Sequence, residues 1–179
     1  GTELRDYEKW TKEVKLNFNY ATELLEGYVY EGAGENLVHS AGDYENFMAP
    51  PPELSDEKLR SELTAVTTLL VRKGWPIRIH ATYDGTITKV LDVFEQVFKA
   101  ENFKGRWVID HAEGISAKNI ERVKLLGGGI AVQNRMAFAG EYYAERYGKE
   151  AAATAPPLRK LLDSGIPLGA GTDLTRVSS

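Results

Sequence analysis

Two of the chain's three histidines, His80 and His111, close short apolar runs. In Pro76-Ile-Arg-Ile-His80, Ile77 and Ile79 alternate with Arg78, the period of a strand. Trp107-Val-Ile-Asp110-His111 repeats the arrangement. Gly129-Ile-Ala-Val-Gln133 ends in an amide, and Ile166-Pro-Leu-Gly-Ala-Gly-Thr-Asp173 ends in a carboxylate. Imidazole and carboxylate are suitable ligands for zinc or another divalent metal. Such an ion polarises a carbonyl and lowers the pKa of bound water to about 7. A carboxylate such as Asp173 can take the proton from that water. Asp110 and Asp84 are candidates for orienting the ligands. Their plainer use is as solvated charges or helix caps. His39 is a further candidate ligand, although a loop or packing role is the commoner fate of such a histidine. A lone strand-end histidine is also more often structural than a ligand; two in similar positions raise the odds.

These groups converge only if the right elements carry them. Helical sequence follows each histidine. Thr86 to Ala100 has Ile87, Val90, Leu91, Phe94, Val97 and Phe98 near helical spacing, and Ser116 to Leu126 is helical as well. Strands that alternate with helices imply a parallel sheet with outer helices, an α/β class. In that class all strand C-terminal ends face one side, where ligands bind. The expected strands are Ile77–His80, Trp107–Asp110, Ile130–Gln133 and Leu168–Ala170, with one more near Tyr28–Val38.

Upstream, Thr2 to Val14 reads as a helix with a buried stripe of Leu4, Tyr7, Trp10 and Val14, whereas Leu16 to Leu25 is ambiguous. Asp43 to Pro52 is a loop, because consecutive prolines suit neither helix nor ladder. Ser55 is a good N-cap for a helix through Lys73. Ala139 to Ser164 is helical in patches, broken at Pro156-Pro157, with a short helix at Arg159 to Asp163. Gly127-Gly-Gly129 precedes a strand and so stops a helix rather than cradling a phosphate. Phe138, Tyr142, Tyr143 and Tyr147 line a pocket or, more commonly for such clusters, pack.

A chain of 179 residues, 42% hydrophobic and 27% charged, suits one soluble globular domain spanning residues 1–179. A net charge of -4 without a basic stripe argues against a nucleic-acid partner. No cysteine is present, so disulfides and thiolate chemistry are excluded. No apolar run is long enough to span a bilayer, which argues against a membrane partner. Gly1 to Asp6 lacks a signal-peptide pattern, and the chain is assigned to the cytoplasm.

Taken together, Gly-Ala-Gly-Glu35, Asp43-Tyr-Glu-Asn-Phe47, Ile-His80-Ala-Thr-Tyr-Asp84, Asp-His111-Ala-Glu113, Gln133-Asn-Arg-Met-Ala-Phe138 and Gly-Ala-Gly-Thr-Asp173 have a specific order and spacing. They resemble the later part of an amidohydrolase-superfamily barrel in its YtcJ-like (amidohydrolase 3) branch. The resemblance runs from about Gly32 to Arg176. It implies a metal-dependent (β/α)8 barrel, zinc as the favoured ion, and hydrolysis of amide-type C–N bonds other than peptide bonds in small-molecule substrates. By the resemblance, His80 matches the fifth-strand metal histidine and His111 the sixth-strand one. Asp173 matches the eighth-strand aspartate, which binds metal and handles the proton. Gln133 is expected near them as a substrate or supporting contact.

Three departures stand out. The family's first-strand His-x-His is absent, the fourth-strand lysine has no evident equivalent, and Asn134 replaces a frequent histidine. Glu35 is the nearest candidate for the fourth-strand position. The chain thus matches about strands 4–8 of a partial TIM barrel, whereas a whole barrel needs about 250 residues. The expectation is a hydrolase fragment with weak or absent metal binding, inactive alone, whose uncovered sheet favours a homo-oligomer. The alternative is a non-catalytic α/β domain that keeps the scaffold for binding or assembly.

Overall fold

Alternation builds the sheet. Ile77, Ile79, Trp107 and Ile109 are buried on one face, while Arg78 between them is exposed. A computed structural model describes residues 2–16, 31–44 and 46–173. Four strands appear in it: β1 (Ile77–Ala81), β2 (Trp107–His111), β3 (Gly129–Gln133) and β4 (Leu168–Gly171). Their order is β1-β2-β3-β4 and every pairing is parallel. A run of neighbours in sequence order, without the reversal of a doubly wound sheet, is the wall of a barrel.

Helices α1 (Thr2–Glu13), α2 (Asp56–Arg72), α3 (Asp84–Ala100) and α4 (Ala117–Leu125) come before β3. After it come α5 (Met136–Tyr147), α6 (Lys149–Ala153) and α7 (Leu158–Ser164). Ser55 caps α2 by accepting from the Lys58 amide, and Ser116 caps α4 by accepting from Asn119. The stripe Ile87, Val90, Leu91, Phe94, Val97 and Phe98 of α3 is buried. Phe94 lies 5.3 Å from the Trp107 ring in a T-shaped contact, which locks α3 onto β2. α7 begins immediately after Pro156-Pro157.

One sheet face is therefore sealed by helices in a single core. The other lines an open groove of about 690 Å³ past Arg78, Val108, Ala131 and Gly169. Of the expected fifth strand, Tyr28 to Tyr30 lie outside the described residues. Ala33 makes an isolated parallel bridge to Ile77. Leu37 and Val38 are buried and lead into a 3-10 turn, His39–Ala41, so residues 31–38 form a single bridge and bends in place of the expected strand.

Register holds the main surprise. His80 pairs with Asp110, and His111 with Ala81, so the two histidines are offset by one residue. Strict alternation would turn them to opposite faces. The backbone breaks the alternation: φ is 82° at His111 and 55° at Ala112, both left-handed. Such conformations cost about 1–3 kcal/mol each in a residue with a side chain and cluster at functional sites.

Candidate metal centre

The stretch beside β1 positions the first donor. Arg78 N donates to Ala33 O at 2.8 Å, and His80 N donates to Glu35 O at 3.1 Å. This short strand-like ladder carries Glu35 to the level of His80. Gly34 makes the approach possible: a Cβ there would collide with the Arg78 carbonyl oxygen, and its φ is 134°.

His80 is 3% exposed and held from behind by Asp43. Its Nε2 lies 3.3 Å from Asp43 Oδ1, and its Nδ1 lies 3.9 Å from Glu35 Oε1. The Asp43 carboxylate also accepts the backbone amides of Thr82 and Tyr83 at 3.0 to 3.1 Å. A carboxylate fixed by two amides and facing Nε2 favours the tautomer with its proton on Nε2. Nδ1 is then the lone pair that faces Glu35.

His111 presents its other nitrogen. Nε2 lies 3.1 Å from Glu35 Oε2, and Nδ1 lies 2.7 Å from Gln133 Oε1. The two imidazole rings are 4.1 Å apart. Burial pulls the His111 pKa down, but the hydrogen bond to Glu35 and the field of Glu113 outweigh it, so the group stands above its usual value. The Glu35 carboxyl stands below its usual value, chiefly because His111 donates to it, against the opposing effect of burial. Donor atoms of Glu35, His80 and His111 all lie within 4.8 Å of one another. Two imidazoles and a carboxylate, each imidazole backed by an oxygen acceptor, form a set that suits a divalent cation.

Arg135 joins the next two strand ends. Its Nη1 donates to Glu113 Oε1 at 3.2 Å, and its Nη2 donates to Gln133 Oε1 at 2.8 Å. Nη2 also lies 3.1 Å from His111 Nδ1 and 3.6 Å from Asp173 Oδ2. Asp173 therefore sits with Arg135 and outside the three-donor cluster, where the sequence placed it among the ligands. The reason is electrostatic: the guanidinium offers the carboxylate a partner beside β3.

The remaining candidates are engaged elsewhere. Asp110 takes a two-pronged contact from Arg78, with Nε to Oδ2 at 2.9 Å, on the open sheet face. Asp84 accepts from Ser116 N and Asn119 Nδ2, each at 2.7 Å, and so ties the start of α3 to the start of α4. His39 is exposed in its 3-10 turn. Asp110 is thus a buried, ion-paired carboxylate rather than a solvated charge, and Asp84 is a tie between two helix starts. Asp43, Glu113 and Arg135 are the residues sequence reasoning passed over. Their signal is a charge set directly beside an apolar strand end or its loop, where burial demands a partner.

Parallel strands in sequence order, with donors gathered at their C-terminal ends, define part of the wall of a (β/α) barrel with a candidate metal site at its rim. The chain belongs to the amidohydrolase family, whose profile matches residues 1–179. An uncharacterized metal-dependent hydrolase from Pyrococcus horikoshii OT3 is similar at 31% identity with a TM-score of 0.54, over 64% of this chain and 22% of that one. One from Pyrococcus furiosus is similar at 29% identity with a TM-score of 0.52, over 64% and 23%. The chain thus matches under a quarter of either protein's length. No curated protein matches it. No described helix is long and apolar enough to cross a membrane.

Proposed function

We propose that this chain supplies one wall of the active site of a divalent-metal hydrolase acting on an amide-type C–N bond, with zinc as the ion. The observation that carries the reading is the cluster of half-buried Glu35 with buried His80 and His111, whose donor atoms lie within 4.8 Å of one another. When bound, the ion would polarise a carbonyl and activate water. The chain's own residues do the rest. His80 would bind through Nδ1 while Asp43 keeps the proton on Nε2. His111 would bind through Nε2 while Gln133 accepts the proton on Nδ1. Glu35 would supply the anionic ligand. Asp173 stands at the cluster's edge, where its carboxylate can accept the proton of the attacking water, with Arg135 fixing its position.

Zinc titration followed by calorimetry tests the assignment. We expect about one ion per chain, with binding lost in His111→Ala and in Glu35→Gln. Unchanged binding in both variants would place the ion elsewhere. The scaffold reading draws on Asp173 lying off the cluster. It would prevail if the complete protein, loaded with zinc or manganese, hydrolysed no member of a panel of N-acyl and cyclic amides.

A further inference from the structure

The aromatic residues after β3 divide into two groups. Tyr143 is buried and packs on Phe47 in a T-shaped contact with ring centroids 5.0 Å apart. Phe138 and Tyr142 are instead 54% and 47% exposed, and Met48 across from them is 66% exposed. These three border a recess of about 300 Å³ that opens directly against Gln133 and Asp173. Exposed apolar side chains around a concave site beside polar groups mark a ligand pocket rather than ordinary surface.

We propose that this recess receives an uncharged, apolar group of about the size of one aromatic ring, carried by the amide substrate, and that Arg146 holds its outer wall. The proposal rests on the hydrolase reading above. Size follows from the volume, which is at the small end of ligand sites. Charge follows from the lining. Its charged residues are Arg135 and Asp173, which lie 3.6 Å apart, and Arg135 is matched again by Glu113 at 3.2 Å. An anion entering the recess would meet Asp173, and a cation would meet Arg135. A neutral group meets neither penalty. Placement follows from Gln133, which both lines the recess and touches His111 Nδ1. A group seated there is therefore attached within a few bonds of any carbonyl held at the donor cluster.

The wall is fastened deliberately. Arg146 of α5 donates through Nη2 to Met48 O at 2.8 Å and through Nε to Phe47 O at 3.3 Å. The Phe47 ring is clamped between Tyr143 and Tyr83, at 5.0 and 6.4 Å. Asp43 anchors the other end of this loop on the amides that follow His80. One loop thus supports a metal-site histidine and shapes the recess.

The test compares N-benzoylglycinamide with N-acetylglycinamide, which differ only in phenyl against methyl. In the zinc-loaded complete protein we expect kcat/KM to favour the benzoyl compound by about tenfold or more, the scale of burying one ring. Phe138→Ala and Tyr142→Ala should bring that ratio towards one. Arg146→Ala should do the same, mainly through KM. General damage to the fold would lower both substrates together and leave the ratio alone. A ratio near one in the unaltered protein overturns the proposal, as does a ratio that persists in all three variants. Ligand-observed NMR of both amides separates the two readings. Suppose neither is cleaved, yet the benzoyl compound binds more tightly and Tyr142→Ala removes the preference. The pocket then stands and the hydrolase reading falls.

Discussion

Two regions of this molecule are built from the same charged residues and behave differently. On the outer helices, Arg60 bridges Asp56 and Asp92 at 2.8 and 2.9 Å, and Arg122 bridges Asp92 and Glu95 at 2.7 Å each. At the C-terminal rim of the sheet, Arg135 bridges Glu113, and His111 meets Glu35. Distances are alike; surroundings are not. The outer side chains of Arg60, Asp92 and Arg122 are 41%, 35% and 15% exposed; at the rim Arg135 and Glu35 are similar at 14% and 33%, but their partners Glu113 and His111 are each only 1% exposed. Water already solvates the outer ladder, so its pairs gain little and mainly fix helix orientation. At the rim Glu113 and His111 have lost water and depend on their partners. Two consecutive left-handed residues with side chains, His111 and Ala112, also stand at that rim, as does Asp173, while Asn102 after α3 is a single one elsewhere. The comparison teaches that ion-pair geometry alone does not identify a site. Burial plus backbone strain does.

The largest effect expected from this contrast comes from Glu113→Gln. It removes the buried partner of Arg135 and should cost about 3 kcal/mol or more, read as a shift in urea midpoint. A shift no larger than that of a surface variant would erase the distinction between the regions. Asp43→Asn should weaken zinc affinity by about tenfold to a hundredfold, the usual penalty for removing the acceptor behind a ligating histidine. Calorimetry checks it, and unchanged affinity would release Asp43 from its role behind His80.

A pH series sharpens the comparison further. The raised His111 pKa means its stabilising contribution is full below the usual histidine value of 6.5 and is lost as pH climbs through the higher folded value. Glu35 works the other way: its contribution is present above 4.5 and is lost as pH falls through its lowered folded value. The metal-free pair therefore supports the fold best between those two usual values, and its contribution declines as pH rises through the raised His111 value. Zinc affinity should move oppositely over that range, rising as His111 gives up its proton. Parallel slopes of melting temperature and zinc affinity would contradict the pairing. The smallest effect is reserved for the outer ladder: Arg60→Ala should cost under about 1 kcal/mol, less still in high salt.

The sequence by itself determined the parallel strand–helix alternation, because apolar period 2 and apolar period 3.6 report directly on which face each element buries. It also located His80, His111 and Gln133 at strand ends, since parallel strands must deliver their C-terminal ends to one side. Only the tertiary structure decided the membership of the cluster. Glu35 enters it because Gly34 lets its strand touch β1, a contact across more than forty residues of chain. Asp173, whose carboxylate lies 3.6 Å from the Arg135 guanidinium, is not part of that group. The offset between the histidines was equally hidden, because register is a relation between two strands, and the left-handed turn at His111 that corrects it leaves no mark in the composition of either.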